Sequence, residues 1–217
     1  MAKENNMISE EITFNEIFTI HQKKLNYLNS KNKNRIAICF SGVPGAGKTT
    51  ISKELEKELK AIRIEIDQIR EIVANLFEQK NIKYKNNKNK YLEIKNQSYR
   101  YVKDLLQYIQ GNEKNHLIIL DLSLDRRYSY IKSLLDFFNY RIFSISLEAD
   151  ESQLRNRIKT RQTGMLDRSI YLKMLPGWIK DHVTFTSQCK FDICINTNKL
   201  TTEESSSEIL RQFKVNN

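Results

Sequence analysis

The sequence predicts an α/β protein on a parallel sheet, and three observations carry that reading. Short apolar runs recur at Ile36 to Ser41, Ile62 to Ile66, His116 to Leu120, Arg141 to Leu147 and Phe191 to Ile195. Stretches with helical spacing of apolar residues separate them. Strands alternating with helices imply βαβ units, and short continuous apolar runs suit strands buried on both faces.

The first ten residues read as a loose polar tail and not as a secretory signal. From Glu11 to Leu28, Phe14, Ile17, Phe18, Leu25 and Leu28 fall at helical spacing, and Ser30 to Asn34 form a polar break. The expected organisation is an N-terminal tail and helix over 1–34 and one domain over 35–217. After the first strand, residues 48–60 form a helix with Ile51, Leu55 and Leu59 on one face. The second strand ends at Asp67. Helices follow at about 68–77 and 91–109, with the polar, basic stretch from Lys83 to Lys90 between them as a solvated loop. The third strand ends at Asp121, and a helix is expected from about Arg127 to Phe138. Beyond the fourth strand, helical residues 151–161, a polar turn at 162–168 and further helix to about Thr186 precede the fifth strand. Thr201 to Glu204 resembles a capping box for the last helix.

Composition narrows the function classes. No apolar run approaches the roughly 18 residues of a spanning helix, so no membrane role is expected. The three cysteines, Cys39, Cys189 and Cys194, have no metal-binding spacing and no framework pairing, so a reducing, cytoplasmic setting is expected. The net charge of +10 reads either as attraction to a polyanion or as the by-product of a general Lys, Asn and Ile bias. Nucleic acid is thus a possible but not a required partner.

The segment Gly42-Val43-Pro44-Gly45-Ala46-Gly47-Lys48-Thr49 fits G-x-x-x-x-G-K-[ST], between an apolar strand and a strong helix. Glycines let successive N–H groups curl toward one anion, and the helix adds its positive end. Lys48 is expected at the β- and γ-phosphates, the Thr49 hydroxyl on magnesium, and Thr50 near the α-phosphate. Asp67, at a strand's carboxyl end, suits a general base on the acceptor side; the alternative is a helix cap. Asp121 is Walker-B-like and expected in the magnesium shell. Arg157 and Arg161, four apart, share a helix face that could grip a triphosphate, or form an ordinary solvated face. The Gly164-containing stretch beyond reads as the flexible part of a lid over about 155–175.

With FSGVPGAGKTT, IEIDQIR, LIILDLS, LRNRIKTR and FDICINT in this order, residues 35–215 resemble small P-loop kinases related to phage-type polynucleotide kinase, chloramphenicol phosphotransferase and the zeta toxins. The resemblance implies a P-loop NTPase fold, a five-stranded parallel sheet flanked by helices with a lid, and ATP with Mg2+ as phosphoryl donor. It implies that Asp67 is the general base, that Arg70 contacts acceptor or phosphate, and that Arg157 and Arg161 contact ATP, Arg157 nearer the base. Two features depart from it: Leu122-Ser123-Leu124 stands where Asn or Thr often follows the Asp121 position, and the N-terminal helix is extra.

The expected function is an ATP-dependent kinase transferring the γ-phosphate to a hydroxyl of a small molecule, sugar nucleotide or nucleic-acid end. A zeta-like toxin kinase falls within this class. The alternatives are a P-loop ATPase or nucleotide switch without an acceptor, and an RNA-binding protein with a vestigial P-loop. The acceptor pocket is expected in the segment of about 70–110.

Overall fold

The computed structural model describes residues 15, 17–19, 35–82, 88–111, 117–161 and 167–215. The strands are β1 (Ile36–Ser41), β2 (Ile62–Glu65), β3 (Leu117–Asp121), β4 (Arg141–Glu148) and β5 (Ile193–Asn196). All pair in parallel, in the order β2-β3-β1-β4-β5. The helices are α1 (Lys48–Leu59), α2 (Ile66–Gln79), α3 (Lys88–Gly111), α4 (Tyr128–Phe137), α5 (Glu151–Thr160), α6 (Arg168–Gln188) and α7 (Thr202–Val215). A single 3-10 turn, Leu124–Arg126, precedes α4.

Alternate residues of β1 face opposite layers. Ala37 and Cys39 join Ile62, Ile64, Ile118 and Leu120 under α2, α3 and α4. Ile36, Ile38 and Phe40 join Ile119, Phe143 and Ile145 under α1, α5, α6 and α7. Burial on both faces is why these strands read as continuous apolar runs. Both β1 neighbours are non-sequential strands, so the chain leaves β1 at a point where the crossovers diverge, the place where such sheets bind ligands.

Several boundaries differ from expectation. β2 ends at Glu65, which lies level with Asp121 across the ladder, and α2 starts at Ile66 with no loop between them. Asp67 therefore sits in the first turn of a helix and not at a strand end. α3 begins at Lys88, so the basic stretch is helical at its end, and residues 83–87 lie outside the described ones. α6 runs through Pro176. The 1–34 segment is described only at Asn15 and Ile17–Thr19, which are helical; Ile17 is buried in the α2–α3 layer, and the Phe18 ring meets Tyr108 edge-on at 4.1 Å. The capping box forms as read: Thr201 N–H donates to Glu204 at 2.8 Å, and Glu204 N–H to the Thr201 hydroxyl at 3.2 Å. The three cysteines are free.

The turn after β1 has a steric cause. Gly42 has φ +149, and a Cβ there would stand 2.9 Å from the Leu147 carbonyl oxygen of β4. Gly47, at φ +97, has only ordinary contacts around such an atom. Gly47→Ala is expected to lose about 1–2 kcal/mol to left-handed strain alone. Gly42→Ala, adding a clash with fixed backbone, should lose more. Urea unfolding of the nucleotide-free variants measures both, and equal losses would contradict the close-packing account.

Candidate nucleotide and acceptor site

A cavity of about 1050 Å³ opens at the carboxyl ends of β1 and β3. On one flank it is lined by the P-loop, Arg157, Thr197 and Leu200, and on the other by Asp67, Arg70, Lys95, Tyr99 and Trp178. The motif residues converge on this concavity, as ligand sites in such sheets do.

Lys48, the first residue of α1, folds back along the loop. Its Nζ donates to the carbonyl oxygens of Gly42 at 2.5 Å and Val43 at 3.1 Å. Desolvation pushes the ammonium down to about 8, with Arg126 adding repulsion and Asp125, Asp121 and Asp67 opposing it. An arriving polyphosphate would reverse that balance, because an anion favours the charged amine. The geometry is that of a pre-shaped anion cradle, since Gly42, Gly45 and Gly47 all hold positive φ.

Asp121 is the buried hub of the site. Thr49 Oγ1 donates to its Oδ1 at 3.3 Å, Ser52 Oγ to its Oδ2 at 2.9 Å, and Arg63 NH1 to Oδ2 at 2.7 Å. Burial pushes the carboxyl upward, and Arg63 pulls it the other way. Thr49 and Asp121, both expected at one site from the sequence, are juxtaposed by the first of these bonds. The sequence reading missed Ser52 and Arg63. Arg63 also pairs with Glu56 at 2.9 Å and Glu65 at 2.7 Å, so one guanidinium serves three carboxylates. The available signal was an arginine flanked by Ile62 and Ile64 within a buried strand.

Ser123 Oγ lies 2.9 Å from the Gly42 carbonyl oxygen and 2.7 Å from Asp125 Oδ1. His182 Nδ1 of α6 is 3.2 Å from Ser41 Oγ and 3.3 Å from Asp125 Oδ2. Burial would raise the Asp125 carboxyl, but its bonds to His182 and Ser123 hold it below the usual range. This network fastens α6 to the end of β1. Ser123, at the departure noted after Asp121, is thus engaged with the P-loop backbone.

Asp67 accepts from Arg70 at 2.7 Å and is 45 % exposed to the cavity. Its side chain does not cap α2, whose N-cap is Glu65. Arg70 Nε is buried without a partner among the described residues. Arg157 donates to Gly45 O at 3.1 Å and to Thr197 at 2.9 and 2.7 Å, which ties α5 to both the P-loop and the loop after β5. Arg161 stands just past the end of α5, 5.9 Å over the Tyr171 ring, so only Arg157 of the pair lies on the helix itself. Arg155 pairs with Glu151 away from the cavity. Thr50 lines the cavity with Thr49. Of the expected lid, residues 162–166 lie outside the described ones, and the described parts of 155–175 are mainly the end of α5 and the start of α6.

The sequence profile of a family described as "AAA domain" matches residues 38–169, more than half of the chain. The chain belongs to this family. The matched span runs from β1 into the start of α6 and takes in the P-loop, Asp67, Asp121 and both arginines. No curated protein sequence matches. Solved structures share the P-loop kinase-like fold at low identity. A chain of the PezAT chromosomal toxin–antitoxin system of Streptococcus pneumoniae has a TM-score of 0.61 and 17% identity, over 92% of this chain and 86% of that one. A gluconokinase from Sinorhizobium meliloti gives 0.54 and 14%, over 84% and 94%. Shikimate kinase from Bacteroides thetaiotaomicron gives 0.52 and 16%, over 83% and 97%.

Removing Arg63 would strand a buried carboxylate. Arg63→Met is expected to destabilise the protein by about 3–5 kcal/mol at neutral pH. Without its partner, Asp121 should be raised further in the folded state than it already is. A carboxyl raised on folding contributes stability below its unfolded pKa that is lost as pH rises through the folded value. The deficit of Arg63→Met should therefore shrink between pH 7 and pH 5. Denaturant unfolding at the two pH values reads this, and a constant deficit would locate the loss in packing instead.

Proposed function

We propose that this AAA-domain family member is an ATP-dependent kinase that transfers the γ-phosphate to a hydroxyl. One observation carries the reading: a P-loop with Lys48 and an Asp67–Arg70 pair line the same cavity. A nucleotide binder needs the first; a phosphotransferase also needs a carboxylate within reach of an attacking hydroxyl. Among the described residues lining the cavity, none is Gln or Glu, the residue types that orient water in nucleotide hydrolases. The Asp67–Arg70 pair facing the same cavity as the P-loop is the feature that favours transfer to an acceptor.

The P-loop N–H groups, Lys48 and Thr50 would hold the triphosphate, and Arg157 and Thr197 lie on the flank suited to the rest of the nucleotide. The residues also fit magnesium: Thr49 and Asp121 are juxtaposed, and a cation that keeps several waters needs few protein ligands. When bound, the ion would offset charge on the β- and γ-phosphate oxygens. Asp67 accepts the acceptor's proton as its oxygen bonds to the γ-phosphorus. The bond between that phosphorus and the β,γ-bridging oxygen breaks, and its electron pair leaves with ADP. Arg70 fixes Asp67 Oδ1 so that the carboxylate faces the cavity. Arg161 meets the charge developing on the transferring group, where positioned cations act most strongly. Lid motion of 155–175 around Arg161 and a cytoplasmic setting belong to the same proposal. Among the described residues, no helix is long and apolar enough to cross a membrane.

Two variants separate the roles. Lys48→Ala should weaken ATP binding and abolish transfer. Asp67→Asn should leave ATP affinity near wild type and slow transfer by about 10²–10⁴, the usual share of general-base catalysis. Calorimetry with ATP and a labelled-ATP screen of hydroxyl acceptors measure both. Normal transfer by Asp67→Asn would remove Asp67 from the mechanism.

Arg161→Ala should reduce turnover by roughly 10³ while changing nucleotide affinity little. Equal losses in both quantities would make Arg161 a ground-state contact.

A further inference from the structure

Among the described residues, six cationic side chains line the cavity, against two carboxylates, Asp67 and Asp121. Asp121 is already paired with Arg63, which is not one of the six. Lys48, Arg157 and Arg161 lie where the nucleotide reading needs them. Arg70, Lys95 and Arg126 remain, near enough to one another for Arg70 and Arg126 both to act on the Lys95 ammonium, and Asp67 balances only one of them.

These three groups are held ready for an anion. Arg126 sits 4.5 Å over the Trp178 ring, and Arg70 5.8 Å over Tyr99; neither Arg126 nor Lys95 has a carboxylate partner among the described residues. Guanidinium groups carried on aromatic faces keep their N–H edges for a planar or tetrahedral anion. Arg70 Nε is buried with no acceptor among the described residues. Behind the site, Arg127 stands 4.6 Å over Tyr99 and donates to Asn96 at 3.2 Å, adding positive potential with no carboxylate partner among the described residues. Burial first, and then repulsion from Arg127, Arg70 and Arg126, together lower the Lys95 ammonium to about 8, a cost that a bound anion would reverse.

We propose that Arg70, Lys95 and Arg126 form an anion subsite in the acceptor half of the cavity, so that the acceptor is a phosphate ester bearing a free hydroxyl. The proposal rests on the kinase reading above. A dianionic phosphate matches the surplus better than a single carboxylate does, because two unbalanced cations remain after Arg70 is set against Asp67. The aromatic walls Tyr91, Tyr99 and Trp178 suit a sugar or planar ring attached to that phosphate. The basic character of the chain would then have a local use in this pocket, with no polyanion required.

The test uses the full chain loaded with Mg2+ and a β,γ-imido analogue of ATP, so that the γ-phosphate position is filled. Analogue binding is measured first; if wild type does not bind it, the nucleotide reading fails and the subsite proposal falls with it. Ribose 5-phosphate, ribose and glycerate are then titrated by calorimetry. Ribose 5-phosphate should bind at least about tenfold more tightly than either of the others. Lys95→Met and Arg126→Met should each weaken it by about tenfold or more, while analogue affinity, which also reports correct folding, stays near wild type. Lys95→Arg should retain most of the binding. Three results would overturn the proposal: ribose binding as well as ribose 5-phosphate, glycerate binding as tightly, or the variants losing analogue affinity in place of phosphate-ester affinity. The last would assign the two cations to the nucleotide.

Discussion

A single buried carboxylate, Asp121, joins the parts of this molecule that do chemistry. It ends β3, receives Thr49 and Ser52 from the helix that follows the P-loop, and meets Arg63 from β2. Buried ionised groups are costly unless paired and hydrogen-bonded. That cost fixes three neighbouring elements at once: β2 must present Arg63, α1 must present its first two turns, and β3 must stop level with Glu65. The cradle next to β3 inherits its position from this arrangement.

The same economy of contacts recurs around Gly42. Its backbone presses on Leu147 of β4, and its carbonyl oxygen takes both Lys48 and Ser123. Through Ser123 the loop is coupled to Asp125 and His182, and so to α6. Through Gly45 it is coupled to Arg157 and Thr197, and so to α5 and the loop after β5. An anion cradle of backbone N–H groups works only if it is rigid before the ligand arrives. Here rigidity comes from side chains lodged on its carbonyl groups from both flanks.

The two halves of the cavity differ in how their charges are arranged. On the nucleotide flank, Arg157 is committed to backbone and hydroxyl acceptors. On the acceptor flank, guanidinium groups rest on aromatic rings and retain donors. A low-dielectric pocket with unbalanced like charge is unfavourable when empty, and it is stabilised most by a ligand of opposite sign. Under the anion-subsite proposal, specificity on that side is electrostatic first and steric second.

What was legible in the sequence is what local pattern encodes. Continuous apolar runs identified the five strands, because burial on both faces leaves no polar positions. The glycine spacing and Lys48-Thr49 identified the cradle, because only that backbone geometry needs those residue types. Thr201 and Glu204 announced their cap. Three things needed the tertiary structure. The start of α2 at Ile66 placed Asp67 in a helix, since β2 passes into α2 without the loop that strand-end reasoning assumed. Arg63 and His182 found partners 58 and 141 residues away, which no spacing rule reaches. Lys95 and Arg126 line one cavity only because the fold brings α3 and the turn after β3 to its wall. Periodicity reports which face of an element is buried; it is silent on which other element covers that face, and a charge acts through space on whatever stands there.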